Sequence, residues 1–148
     1  MSLEERIQKD LVTAMKAKDE KALRAIRSIK SAILLYKTSG SGVELNEEAE
    51  IKMLQKMVKQ RKESLSIYEQ QGRAELAQTE KEEIEVIEQY LPKQLSPEDI
   101  EALLKDIIAE LGATSMKDMG KVMAAANQKF AGQAEGAVVS GIVKRLLA

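Results

Sequence analysis

The sequence predicts an all-α protein, and three observations carry that expectation. Apolar residues recur at three- and four-residue steps along most of the chain. Only two prolines interrupt the pattern. Hydrophobic residues at 44% beside charged residues at 32% suit helices that bury one face and solvate the other. The expected architecture is an N-terminal helical domain over residues 1–92, containing a long antiparallel helix hairpin, and a small three-helix tail over residues 93–148.

The elements follow in order. Leu3, Ile7, Leu11 and Met15 are spaced four apart behind Ser2, a good cap, and Glu4 and Glu5 suit the positive end of the helix dipole. A second helix is expected from about Asp19 to Tyr36, with Ala22, Ile26, Ile29, Ile33 and Tyr36 on one face. It should stop at the flexible stretch Thr38-Ser39-Gly40-Ser41-Gly42. From Asn46 the stripe Ile51, Leu54, Val58, Leu65 and Tyr68 marks a long helix, broken at Gln71-Gly72. A return helix from about Arg73 to Tyr90 carries Leu76, Ala77, Ile84, Ile87 and Leu91.

One polar residue interrupts each seam of this hairpin, Arg61 going out and Glu80 returning. Folding about Gly72 sets Arg61 near residues 80–84. A charge facing a core needs a partner, so Arg61 is expected to pair with Glu80 or Glu83, the alternative being that it extends to solvent.

Pro92 then ends the hairpin, and Ser96 caps a new helix with Pro97 at its first position. Ile100, Leu103, Leu104, Ile107, Ile108 and Leu111 form its stripe, closed by Gly112. Ser115 opens a second helix with Met119, Val122, Met123, Ala126 and Phe130. A turn over Gly132-Gln133-Ala134-Glu135-Gly136 leads to the last, with Val138, Val139, Ile142, Val143 and Leu146.

Composition excludes much chemistry. With no histidine and no cysteine, the chain cannot build a Ser-His-Asp or Cys-His nucleophile, a zinc site of the usual ligands, or a Glu-x-x-His di-iron motif. No catalytic residue set, metal ligand set or cofactor is expected, and no phosphate-binding glycine loop follows a strand. The acidic run Glu80, Glu82, Glu83, Glu85 and Glu88 faces Lys52, Lys56, Lys59, Arg61 and Lys62 across the hairpin. A solvated charged face explains it better than an acid–base pair. The absence of cysteine suits a reducing compartment, the N-terminus shows no secretory pattern, and nowhere do about 18 apolar residues run together. A cytoplasmic protein without membrane contact is expected.

Net charge is -1, so any polyanion contact must be local. Residues 16–37 hold seven cations against two carboxylates, and residues 112–148 hold five, Lys117, Lys121, Lys129, Lys144 and Arg145, against two. Such clusters are what phosphate contact requires, although solvated faces commonly look the same. Three tyrosines and one phenylalanine are too few for a base-stacking platform. Gly120 and Gly141 each interrupt a helical stretch at about 1 kcal/mol relative to alanine. Close helix-to-helix approach is the favoured reason, and close approach to an RNA backbone the other.

The segments Lys59-Gln60-Arg61-Lys62-Glu63-Ser64 and Tyr90-Leu91-Pro92-Lys93-Gln94-Leu95-Ser96 resemble the free-standing bacterial YqeY proteins of the GatB/YqeY family, a similarity that covers the whole chain. Asp118-Met119-Gly120-Lys121-Val122-Met123, Gly132-Gln133-Ala134-Glu135-Gly136 and Val143-Lys144 resemble the tail domain of the B subunit of tRNA-dependent amidotransferases, over roughly residues 95–148. Glu135 departs from the aspartate usual there. The resemblance implies a helical domain joined to a three-helix tail that helps hold tRNA. It also implies a link to carbon-nitrogen ligase activity with glutamine as amido donor, although the domains that carry that chemistry are not represented here. A non-catalytic, tRNA-associated accessory is therefore the first expectation, with the five cations of the tail on phosphates. The alternatives are a helical adaptor docking a protein, for example through Met116, Met119 and Met123, and a component of a glutamine-dependent amidotransferase.

Overall fold

The computed structural model describes residues 1–39 and 44–148, so Gly40, Ser41 and Gly42 of the stretch expected from the sequence lie outside the described residues. Those residues are all-helical: α1 (Leu3–Ala17), α2 (Glu20–Thr38), α3 (Glu47–Gln70), α4 (Ala74–Glu88), α5 (Pro97–Leu111), α6 (Met119–Lys129) and α7 (Gly136–Leu147), with a 3-10 turn at Met116–Asp118. Backbone proximity divides the chain into two compact units, Met1–Leu91 and Pro92–Ala148.

In the first unit, α1 and α2 pack together, and α2 and α3 both pack on α4 or its neighbours around Ile7, Ile26, Ile29, Ile33, Leu54, Val58, Ile84 and Ile87. Each such side chain contributes about 1.5–3 kcal/mol by leaving water, and this burial holds helices that would be marginal alone. The starts are capped as the sequence requires: Ser2 Oγ accepts from Glu5 N at 3.2 Å, Asp19 Oδ1 from Ala22 N at 3.1 Å, and Asn46 Oδ1 from Ala49 N at 2.9 Å. Gly72, at φ 70°, turns the α3–α4 hairpin, and Arg73 N donates to Tyr68 O at 2.9 Å across it.

Some expected core positions are displaced. Met15 is 54% exposed while Ala14 is buried, because a strict four-residue spacing drifts around a helix of 3.6 residues per turn. Leu76 sits one turn from the start of α4 and is 43% exposed, whereas Met57 and Tyr90 are buried. Tyr90 lies just past α4. Its hydroxyl donates to Asp10 Oδ2 at 2.5 Å, and the Arg6 guanidinium lies 4.9 Å from its ring centroid, which fastens the end of the hairpin to α1. Burial, then the bond to Asp10, push the phenol far above its ordinary value, so it stays a donor.

The second unit packs α5, α6 and α7 around Ile100, Leu104, Ile107, Val122, Ala126, Phe130, Val139 and Val143. Ser96 Oγ accepts from Asp99 N at 3.1 Å, and Gly112 closes α5 at φ 66°. Ser115 caps the 3-10 turn, and α6 follows it.

Lys18, which joins α1 to α2, is left-handed at φ 56°, a conformation that crowds the Cβ of an L-residue. Lys18→Gly should therefore stabilise the protein by about 0.5–1 kcal/mol, net of the entropy glycine loses on folding. A thermal melt followed by circular dichroism should show a higher midpoint. An unchanged or lower midpoint would mean that this turn is not strained.

Candidate functional site

The tail cations are placed by helix geometry. On α6 the buried residues are Val122 and Ala126; Lys121 and Lys129 are exposed, and Lys117 is exposed in the 3-10 turn before the helix. On α7 the buried residues are Val139, Ile142, Val143 and Leu147, and Lys144 and Arg145 point away from them, about 100° apart around the helix. Arg145 is engaged: its Nη1 donates to Glu101 Oε1 at 3.1 Å, and Nη2 lies 3.0 Å from Glu101 Oε2. That bond holds the Glu101 carboxyl below its ordinary value. Lys117, Lys121, Lys129 and Lys144 have no carboxylate partner among the described residues. The geometry thus leaves four ammonium groups facing water and turns the fifth cation to α5.

The two glycines, Gly120 in the first turn of α6 and Gly141 in the middle of α7, are the unexpected part. A Cβ built on Gly120 or on Gly141 meets nothing within 4 Å, and both residues are exposed. Close helix packing was the favoured reason for them, and the open space around both positions removes it. Each glycine is three residues from an unpartnered lysine on adjoining faces, Gly120 from Lys117 and Gly141 from Lys144. Of the methionines considered for docking, only Met116 stands exposed. Met119 and Met123 pack against the core.

The segment ahead of α5 is bonded to the turn ahead of α7. Leu95 N donates to Gln133 O at 2.9 Å, Gln94 Nε2 to Gly132 O at 2.7 Å, and Gln133 Nε2 to Lys93 O at 3.2 Å. Two motif segments that the sequence shows separately therefore form one structure. Glu135, at the start of α7, makes no side-chain cap there.

The first unit holds a second polar cluster. Arg61 Nε donates to Glu83 Oε2 at 3.2 Å and Nη1 to Met57 O at 3.3 Å, while Nη2 donates to Ser28 Oγ. Arg61 and Glu83 side chains are 18% and 15% exposed, so the pair is largely shielded from water. Glu80 is partly buried beside them, and its Oε2 has no hydrogen-bond partner. Burial first, and the charge of Glu83 second, raise its carboxyl above the ordinary value, with Arg61 opposing. The acidic run does not simply meet α3 in solvent. Glu82 reaches α2, where Lys21 Nζ lies at 3.2 Å and Arg24 Nη2 at 2.9 Å, and the bond from Lys21 leads in lowering its carboxyl below the ordinary range. Ser28 and Asp10 could not be singled out from the sequence, since each is a small polar residue on a helix whose partners lie far along the chain. Among the described residues, no group of three His, Cys, Asp or Glu is arranged to hold a metal, and no helix is long and apolar enough to cross a membrane.

The described residues thus form a helical protein of two units, a hairpin unit with a shielded Arg61–Glu83 pair and a three-helix unit that bears exposed lysines. The sequence matches the YqeY-like protein family over residues 4–147, and the chain belongs to that family. It is similar to proteins named altered inheritance of mitochondria protein 41, mitochondrial. That of Lachancea thermotolerans is 33% identical over 71% of this chain and 57% of its own length. That of Vanderwaltozyma polyspora is 32% identical over 76% and 64%, and that of Clavispora lusitaniae 38% over 70% and 61%. The chain thus spans about three fifths of the length of these relatives.

The raised Glu80 carboxyl fixes a pH dependence. Between the ordinary glutamate value, 4.5, and its raised value, the native state holds a proton that the unfolded chain has lost, so stability falls as pH rises through that window. Above the window the loss is complete. Glu80→Gln should be more stable than the parent at neutral pH, and the difference should shrink as pH falls towards 4.5. Urea unfolding at several pH values tests this, and a difference independent of pH would refute it.

Proposed function

We propose that this YqeY-like protein is a non-catalytic accessory whose second unit holds tRNA by its phosphates. The observation that carries the reading is the pairing of a glycine unneeded for packing with an unpartnered lysine, once at Gly120 and Lys117 and again at Gly141 and Lys144. A helix face without a Cβ lets a phosphate chain approach the backbone, and a lysine one turn away supplies the charge. Lys121 and Lys129 add to it. No side-chain cap bond closes the start of α7, which keeps donors of that turn for a ligand or water. The resemblance of the motifs in residues 95–148 to the amidotransferase tail, read from the sequence alone, favours the same reading. Ammonium groups and bare backbone do not read bases, so the contact is with shape and charge.

The reading gives the chain no catalytic step. The relatives' names place those proteins in mitochondria. tRNA is present there and in the cytoplasm, so the proposal holds for either compartment.

A titration of the full chain with tRNA should show binding at low salt that weakens by about three to four decades of affinity per decade of salt, for four phosphate contacts. Lys121→Glu with Lys129→Glu should abolish it, whereas Arg145→Gln, which removes a cation already held by Glu101, should change it little. Gly120→Ala and Gly141→Ala decide most. Each should stabilise its helix by about 0.5–1 kcal/mol and still weaken tRNA binding. Alanine variants that bind tRNA as well as the parent, or no binding at low salt, would overturn the reading.

A further inference from the structure

The first unit carries an open groove of about 690 Å³ between α2 and α3, on a different part of the chain from the tail lysines. Ala32, Leu35, Ala49, Met53 and Met57 make it apolar, and Lys52 and Lys56 line it from α3. Leu35 is 71% exposed and its neighbour Leu34 63%, a pair of large apolar side chains left to water on the C-terminal half of α2. Exposure of that kind costs hydrophobic free energy that a monomer gains nothing from.

We infer that this groove docks an amphipathic helix of another protein, one that lays an apolar stripe on Leu35, Met53 and Met57 and presents two carboxylates, one turn apart, to Lys52 and Lys56. Three features select this occupant. The α3 residues that line the groove, Ala49, Lys52, Met53, Lys56 and Gln60, follow helical spacing, so the groove runs along the axis for about three turns, the length of a short helix. Along that edge Lys52 and Lys56 outnumber Glu48, a carboxylate that also lines the groove. Lys56 has no partner among the described residues, and Lys52 is held only by Glu48, in a pair whose side chains are 74% and 76% exposed and which therefore exchanges readily. A concave wall with two methionines suits a helix, since the thioether chain adapts to whichever side chain enters. A bilayer would need a convex or flat apolar face. A nucleic acid would leave Leu35 and Met53 against phosphate.

The test uses the full chain and a display library of short helical peptides. Peptides selected by the parent should be enriched in an apolar stripe flanked by two acidic residues four apart. Their affinity should fall by at least about tenfold on Lys52→Glu with Lys56→Glu, and likewise on Leu35→Asp. Leu35 is largely exposed, so its variant keeps the fold, which circular dichroism checks; the charge-reversed variant tests the same edge without touching the apolar floor. The Lys121→Glu, Lys129→Glu chain should bind the peptides like the parent, which separates this inference from the tRNA reading. No selected peptides, peptides without acidic enrichment, or peptides bound equally by the variants would overturn it. So would phosphatidylglycerol vesicles or tRNA binding through Leu35 and Lys56 instead.

Discussion

A guanidinium set in the apolar seam of α3 has to be satisfied from its surroundings, and Arg61 is satisfied by three elements at once: Ser28 of α2, the Met57 carbonyl of α3 and Glu83 of α4. Leaving such a charge unpartnered would cost several kcal/mol, more than most apolar contacts return. The requirement therefore fixes the register of the hairpin, because only one alignment of α4 on α3 brings Glu83 to Arg61. It also fixes how α2 lies, because Ser28 must reach the same group. A slide by one turn would set Glu80 opposite Arg61 in place of Glu83, and the bond from Arg61 to Ser28 of α2 adds a second constraint on the alignment.

Glu80 shows what that arrangement costs. It lies beside Glu83 with one oxygen unpartnered, and two carboxylates share one guanidinium. The second carboxylate adds no bond that Arg61 needs, so its desolvation is a net loss in the ionised form. On the neighbouring face Glu82 is met by Lys21 and Arg24 of α2, so the outer charges assist the alignment that the inner ones impose.

The fold was legible where periodicity is long and caps are chemical. Ser2, Asp19, Asn46 and Ser96 could be read as helix starts, and Gly72 and Gly112 as turns, because each supplies a group or a conformation that the backbone lacks at that point. Legibility failed where the answer depends on what lies opposite. Met15 and Leu76 match the stripes of their helices and are exposed, since an amphipathic pattern says which face is apolar but not how far its neighbour extends. The five tail cations look equivalent in the sequence, yet Glu101 occupies Arg145 from another helix, 44 residues away. The glycines are the converse case. Residue type marks Gly120 and Gly141 as unusual, and only coordinates can tell that no helix lies against them.

Strength sets the limits of what such a protein can do. Under the proposed tRNA reading, four phosphate contacts without base contacts would correspond to non-specific binding, with dissociation constants of about 10⁻⁴ to 10⁻⁶ M at physiological salt. An interaction that weak cannot by itself choose one RNA from the rest of the cell's polyanions. Specificity then has to come from a second attachment that raises the local concentration of the right target, and joining two weak contacts in one chain multiplies affinity without strengthening either. Under the tRNA reading, the groove of the first unit and the four exposed tail lysines of the second would be the two attachments that this arithmetic requires. A net charge of -1 serves the same end, because a strongly basic chain would bind any polyanion before its partner could direct it.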